Sequence, residues 1–238
     1  DQTDGDCAKF KCHLYKGPRT AVMTEKRLNF TQCTLPLLDK TFGLRRVLDL
    51  PALTHWLQQG KAQSLSALDS HKLADLQALL LINAHSWNEE ELLRYLIGPI
   101  FSIVKFVELY HYNLFAQRHI EAVVQGCLLG GEPDGLIASG YYEPEIPFFA
   151  FSEYKRQRDP SGDPAGQALA AMLVGQTLNP QPQPLYGCYV VGRDWYFMTL
   201  EEQHYAVSYG HNALQTEELA DILRILKALK GLIAVQAA

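Results

Sequence analysis

Apolar positions recur every three to four residues through the first half of the chain and every second residue through much of the second half. Leu73, Leu76, Leu80 and Ile82 form one helical stripe, with Ser70 placed to cap it. Asn88 followed by Glu89, Glu90 and Glu91 marks another helix start. Acids in a first turn face the positive end of the helix dipole, and Glu91 stands where a capping box needs it. Gly98-Pro99 then predicts a kink or a split, because proline lacks the intrahelical donor and clashes with the preceding turn; a second piece is expected over about 100–112. Upstream, Leu44, Val47, Leu48 and Leu50 precede Pro51, and Leu53, Trp56 and Leu57 after it predict a short helix.

The texture changes at Arg118. Residues 119–125 alternate weakly and read as a strand, Gly130-Gly131-Glu132-Pro133 as a turn, and 134–140 as a second strand entered through Asp134, the two forming a hairpin. A loop with two prolines leads into Phe148-Phe149-Ala150-Phe151-Ser152-Glu153-Tyr154-Lys155-Arg156, an aromatic run that favours a buried strand. Strand side chains alternate faces, so Glu153 and Lys155 are expected to continue the face that carries Phe149 and Phe151. Asp163-Pro164 supplies a cap and a first-position proline for a helix over 164–178, stopped by Asn179-Pro180. Its alanines and glycines allow a close approach to a sheet, and Gln167 falls on its first turn. A hairpin across Gly192-Arg193-Asp194 and an amphipathic helix capped by Thr216, with Leu219, Ile222, Leu223, Leu226 and Leu229 inward, complete the chain. The order predicts an α/β (α+β) fold with a mixed sheet flanked by helices.

Composition narrows the class. With 238 residues, 47% hydrophobic and 20% charged, the chain is globular and long enough for one large domain with a helical extension. Residues 1–22 lack an apolar period and are expected to be a poorly ordered leader, with Met23 a candidate start; 23–87 read as a helical extension and 88–238 as the main domain. No apolar run reaches the ~20 residues that span a bilayer. The five cysteines have no framework spacing, and Cys7 and Cys12 lack a second pair to complete a zinc site. A cytoplasmic protein is the expectation. The net charge of −5 does not advertise nucleic-acid binding, although a local basic patch matters more than the total.

The chemistry lies in the charged end of the aromatic strand. Charged groups on a core face must be paired, solvated in a cleft or bound to a cation, since burying them bare costs several kcal/mol. A neighbouring strand entered at Asp134 lies ~4.8 Å away, which brings a second carboxylate to Glu153 and Lys155. Two converging carboxylates repel unless a proton or cation intervenes, and hard oxygen ligands suit Mg²⁺ or Mn²⁺. Such an ion lowers the pKa of an attacking water and polarises a phosphoryl oxygen, while Lys155 offsets charge building on the phosphate.

The pattern Asp134 … Glu153-Tyr154-Lys155 on consecutive strands, followed by Gln167 on the next helix, resembles the PD-(D/E)XK nuclease superfamily. The resemblance covers roughly 89–200 and implies the restriction-endonuclease-like αβββαβ core within 88–238. It implies a divalent-metal-dependent nuclease, acting on DNA more than RNA. Asp134 and Glu153 would be metal carboxylates, the Tyr154 backbone carbonyl a further ligand, Lys155 the catalytic lysine and Gln167 a site-holding residue. Some branches place an acid on the first core helix, for which Glu108 is the candidate. Arg156 and Arg158 are candidate phosphate contacts, and a homodimer would let two sites address two strands. Three alternatives stay open: Glu143 or Glu145 in place of Asp134 on a shifted register, an ion pair with no metal, and a non-catalytic module of the same fold that binds nucleic acid or protein.

Overall fold

A computed structural model describes residues 26–158 and 160–237, so the leader expected at 1–22 and the Cys7 and Cys12 pair lie outside the described residues. Strand β1 (Lys26–Asn29) is followed by helix α1 (Leu35–Phe42), a short strand β2 (Arg45–Arg46) and helices α2 (Pro51–Ala62) and α3 (Ala67–Asn83). Thr34 caps α1 and Pro51 opens α2. The cap of α3 is Ser66 and not Ser70: Ser66 and Asp69 exchange side-chain to backbone bonds in a capping box, and the Ser70 hydroxyl turns back onto the Ser66 carbonyl.

Helix α4 (Glu89–Leu92) runs through a wide turn at Leu93–Ile97 into α5 (Gly98–Val104). The expected kink takes this form. Gly98 N–H bonds to the Leu93 carbonyl five residues back, and the widened turn makes room for a proline ring that a regular turn would set against the Tyr95 carbonyl. Lys105 then takes a left-handed backbone (φ 59°) and ends the helix. The stretch predicted to remain helical to 112 is instead β3 (Val107–Glu108) turning into β4 (Tyr112–Ala116).

Strands β5 (Ile120–Val124) and β6 (Cys127–Gly131) form a hairpin about Gln125 and Gly126, both at positive φ (49° and 78°), the backbone that a two-residue turn with matched twist requires. The hairpin partner of β5 is thus not the strand opened by Asp134. Gly130 and Gly131, read as a turn, are strand residues beneath close neighbours: a Cβ on Gly131 would meet the Phe30 ring at 2.7 Å. The chain continues through β7 (Gly135–Ser139), β8 (Glu145–Lys155), α6 (Pro164–Leu178), β9 (Leu185–Val191), β10 (Asp194–Glu201), β11 (His204–Val207), β12 (His211–Asn212) and α7 (Thr216–Gln236). Thr216 is the first residue of α7, after the cap position at Gln215, and its hydroxyl bonds to Gln77.

The main sheet is mixed, in the order β2-β11-β10-β9-β8-β7-β4-β3, with β12 also on β10; β8–β9 and β11–β2 are parallel. A second sheet, β1-β6-β5, lies beyond α6. The segment expected as a helical extension therefore contributes β1 and β2 to the two sheets as well as three helices. Helix α6 is buried on every side from Ala165 to Gly175, because it is sandwiched between the sheets. Its glycines set the spacing: a Cβ on Gly175 would lie 2.6 Å from the Phe151 ring, and one on Gly166 would lie 2.6 Å from the Cys33 carbonyl. Helices α2, α3, α5 and α7 cover the other face, where the Trp56 indole N–H donates to the Ile225 carbonyl at 2.8 Å. The fold is α+β, a large mixed sheet flanked by helices. The run α4–α5, β4, β7, β8, α6, β9 follows the αβββαβ order, with the β5–β6 hairpin inserted. Among the described residues, no helix is long and apolar enough to cross a membrane.

Asp163 fastens two helices at once: Oδ1 accepts from Gly166 N–H at 3.0 Å and Oδ2 from Leu35 N–H at 2.9 Å. Asp163→Ala is expected to lower stability by about 1–3 kcal/mol, read as a lower urea midpoint at unchanged slope. An unchanged midpoint would show the double cap to be idle.

Candidate active site

Strand β8 carries the site, and a bulge decides what faces it. Ala138 pairs with Phe148 and Ile137 with Ala150, leaving Phe149 as an extra residue. The bulge turns Phe149 to the α7 side, into the cluster that holds Ala150 and Tyr154, while Phe148 stacks on Phe151 against α6. The expectation that Phe149 shares the face of Phe151, Glu153 and Lys155 is corrected: Phe148 takes that place. Beyond the bulge the alternation holds, with Ser152 and Tyr154 on the α5 side, their hydroxyls 2.6 Å apart, and Phe101 edge-on to Tyr154.

Glu153 and Lys155 are 6% and 7% exposed, and Lys155 Nζ donates to Glu153 Oε1 at 2.7 Å. Asp134 stands one residue before β7. Since Gly135 pairs with Ser152, the antiparallel ladder sets Asp134 opposite Glu153. Its Oδ2 accepts from the backbone N–H of Tyr154 at 2.7 Å, which holds this carboxylate between Glu153 and Lys155 along the chain. The shifted-register alternatives are placed elsewhere: Glu145 opens β8 at its far end opposite Ser139, and Glu143 lies 3.8 Å from Arg118.

A third carboxylate joins from α4. Glu89 Oε1 is 4.0 Å from Lys155 Nζ. The three consecutive glutamates divide their tasks: Glu91 completes the capping box with Asn88, Glu90 pairs with Arg94 at 2.7 Å, and Glu89, 46% exposed, faces Lys155. The sequence pattern marks Glu89 only as a helix-start acid and points to Glu108 as the first-helix acid. Glu108 is exposed on β3, three strands from β8, because α5 ends at Lys105. The missed signal was position: Glu89 is the acid at the start of the helix that precedes β4.

Gln167 is 5% exposed on the first turn of α6, with its amide packed under Gly162. Among the described residues it makes no hydrogen bond to Asp134, Glu153 or Lys155. Arg156 and Arg158 are exposed on the loop after β8. That loop is tied to the β9–β10 turn, where Gly192 N–H donates to the Lys155 carbonyl at 2.8 Å and Arg193 N–H to Gln157 Oε1 at 3.1 Å.

Three carboxylates face one ammonium, and the titration follows from that imbalance. Burial raises the Asp134 pKa; the Tyr154 N–H and Lys155 pull it back, and Glu89 pushes it up. Glu153 is raised to about 7, by burial first and then by the charge of Asp134, with Lys155 opposing. Burial would lower Lys155, but the Glu153 hydrogen bond and the surrounding carboxylates outweigh it, so its pKa rises. The donor set of Asp134, Glu153 and a backbone oxygen fits a hard divalent cation such as Mg²⁺ or Mn²⁺, which keeps several waters and takes one or two carboxylates. Among the described residues, no group of three or more His, Cys, Asp or Glu side chains is gathered tightly enough to form an all-side-chain cage.

No protein-family model matches the sequence, and no curated protein matches it. Among solved structures, one described as the cryoEM structure of a DrdV–DNA complex is similar, with 11% identity and a TM-score of 0.34 over 73% of this chain and 14% of that chain.

A carboxylate whose pKa is raised on folding stabilises the protein while protonated and loses that contribution as pH rises through the folded value. For Glu153 the window runs from its ordinary 4.5 to about 7. In chelator, Glu153→Gln is therefore expected to gain roughly 3 kcal/mol on the wild type between pH 4.5 and pH 8. Urea titrations across that range test it. A difference that does not move with pH would contradict the buried, repelled carboxylate.

Proposed function

We propose that this protein is a divalent-metal-dependent nuclease that hydrolyses phosphodiester bonds, in DNA more than in RNA, at the β7–β8 site. One observation carries the reading: the Asp134 carboxylate is bonded to the N–H of Tyr154, between a buried Glu153 and a buried Lys155. Asp134 and Glu153, with the Tyr154 carbonyl, would hold Mg²⁺ or Mn²⁺, which supplies Lewis acidity toward the phosphoryl group and a lowered pKa for the attacking water.

The chain's own residues have distinct parts. Lys155, its pKa raised, stays protonated at neutral pH, so it acts as a cation that offsets charge on the phosphoryl oxygens and not as the base. Glu153 must be ionised to bind a cation, so binding competes with its proton near pH 7. Glu89 is a positioning residue, acting on Lys155 by charge at 4.0 Å with no hydrogen bond between them. Arg156 and Arg158, exposed beside the site, suit phosphates flanking the cleaved bond.

A second reading is a module of the same fold that binds nucleic acid or a protein without cleaving. It draws on the internal pairing of Lys155 with Glu153 and on the net charge of −5. Incubation with single- and double-stranded DNA and RNA separates the two. The nuclease reading expects cleavage in Mg²⁺ or Mn²⁺, none in chelator, and losses on the order of 10²-fold or more in Asp134→Ala, Glu153→Ala and Lys155→Ala. Tight binding without cleavage, unchanged by those substitutions, would favour the module.

A further inference from the structure

On the α5 side of the sheet a cleft of about 750 Å³ opens between α5 and β4, with Asp134 and Tyr154 in its wall. A smaller pocket of about 200 Å³ that includes Glu89 shares Glu90, Leu93, Gln117, Asp134 and Tyr154 with it, so the cleft is continuous with the candidate active site. Its inner wall is apolar and aromatic: Phe101 is half-buried, Phe106 is buried, and their rings meet edge-on at 5.6 Å. Its rim is polar, with Ser102, Lys105 and Gln117 exposed. Among the described residues, the side chains of Lys105 and Gln117 have no hydrogen-bond or ion-pair partner. Both hold left-handed backbones, at φ 59° and 49°, which side-chain-bearing residues adopt rarely and which gather at ligand-binding places.

We propose that this cleft takes an unpaired nucleobase of the substrate beside the scissile phosphate, so that the protein selects single-stranded segments over the interior of a duplex. The inference rests on the nuclease reading for what lies next to the base. The cleft's size is that of sites that bury a small ligand, about 300–1,000 Å³. A base needs an apolar wall for its flat faces, which Leu114 and Phe101, the latter backed by the buried Phe106, provide, and partners for its edge, which the Gln117 amide and the Ser102 hydroxyl provide. Lys105 on the rim suits the adjoining phosphate. The end shared with the smaller pocket is acidic, with Glu89, Asp134 and the Arg94-paired Glu90, and repels a phosphate until a cation is present; the group that enters the apolar part is therefore the base. In a duplex that base is stacked and paired, and extracting it carries an unstacking penalty that a single strand avoids.

Fluorescence anisotropy with a short fluorescein-labelled oligothymidylate and a blunt duplex of the same length, with Ca²⁺ in place of Mg²⁺, tests the proposal. The oligothymidylate is expected to bind about tenfold more tightly than the duplex, and Ser102→Trp, which fills the cleft, and Lys105→Glu, on its exposed rim, each remove most of that advantage. Thermal stabilisation by Mn²⁺ is expected to persist in both variants. Equal or tighter duplex binding, or an advantage untouched by both variants, overturns the cleft. Single-strand preference lost in the variants, in a protein that cleaves nothing in Mg²⁺ or Mn²⁺, upholds the cleft and overturns the nuclease. Metal-dependent cleavage by the wild type that is as fast in duplex interiors as in single strands, and unchanged in both variants, does the reverse.

Discussion

The hydrogen bond from the Tyr154 backbone N–H to the Asp134 carboxylate is the contact on which the rest of the site depends. Past the Gly135–Ser152 pair, the β7–β8 ladder has no further main-chain partner for this donor, and a side chain takes over. The exchange satisfies a half-buried backbone group and, in the same act, fixes a carboxylate opposite Glu153. The position of Asp134 is thereby set by sheet register, which the packed aromatic faces of β8 specify strongly. Helix α6 enforces that register from one side through Gly175 on Phe151, and Phe101 on Tyr154 enforces it from the other.

The electrostatics run against stability. A buried ion pair such as Lys155–Glu153 returns little net free energy after desolvation. Here it carries two further carboxylates, Asp134 and Glu89, against a single ammonium. Two ways of relieving the excess are a proton on Glu153 and a bound cation.

Where local chemistry decides the structure, the sequence was legible. Asp163-Pro164 opened α6, Asn179-Pro180 closed it, and Glu153-x-Lys155 stood on one strand face near Asp134. What escaped was set by tertiary contacts or by one residue's departure from a regular period. The bulge at Phe149 inverts the apolar face of β8 midway, a change of parity that alternation alone cannot register. Gly130 and Gly131 resemble turn residues until Phe30 and Glu121 are seen to lie on them. The left-handed Lys105 ends α5 where the apolar pattern runs on, so that pattern points to Glu108, while the helix acid that lies near Lys155 is Glu89. Gln167 was placed on its helix turn correctly, but its amide packs under Gly162, a contact set by the loop before α6.

The central claim is the proposed cation site at Asp134 and Glu153, where a divalent ion competes with the proton of Glu153. Calorimetric titration of Mn²⁺ at pH 7, repeated in buffers of different ionisation enthalpy, measures that exchange directly. With Glu153 titrating at about 7, the account predicts release of roughly half a proton per ion bound, falling toward none in Glu153→Gln. Mn²⁺ binding with no proton released by the wild type, or with the same release from the variant, would contradict it.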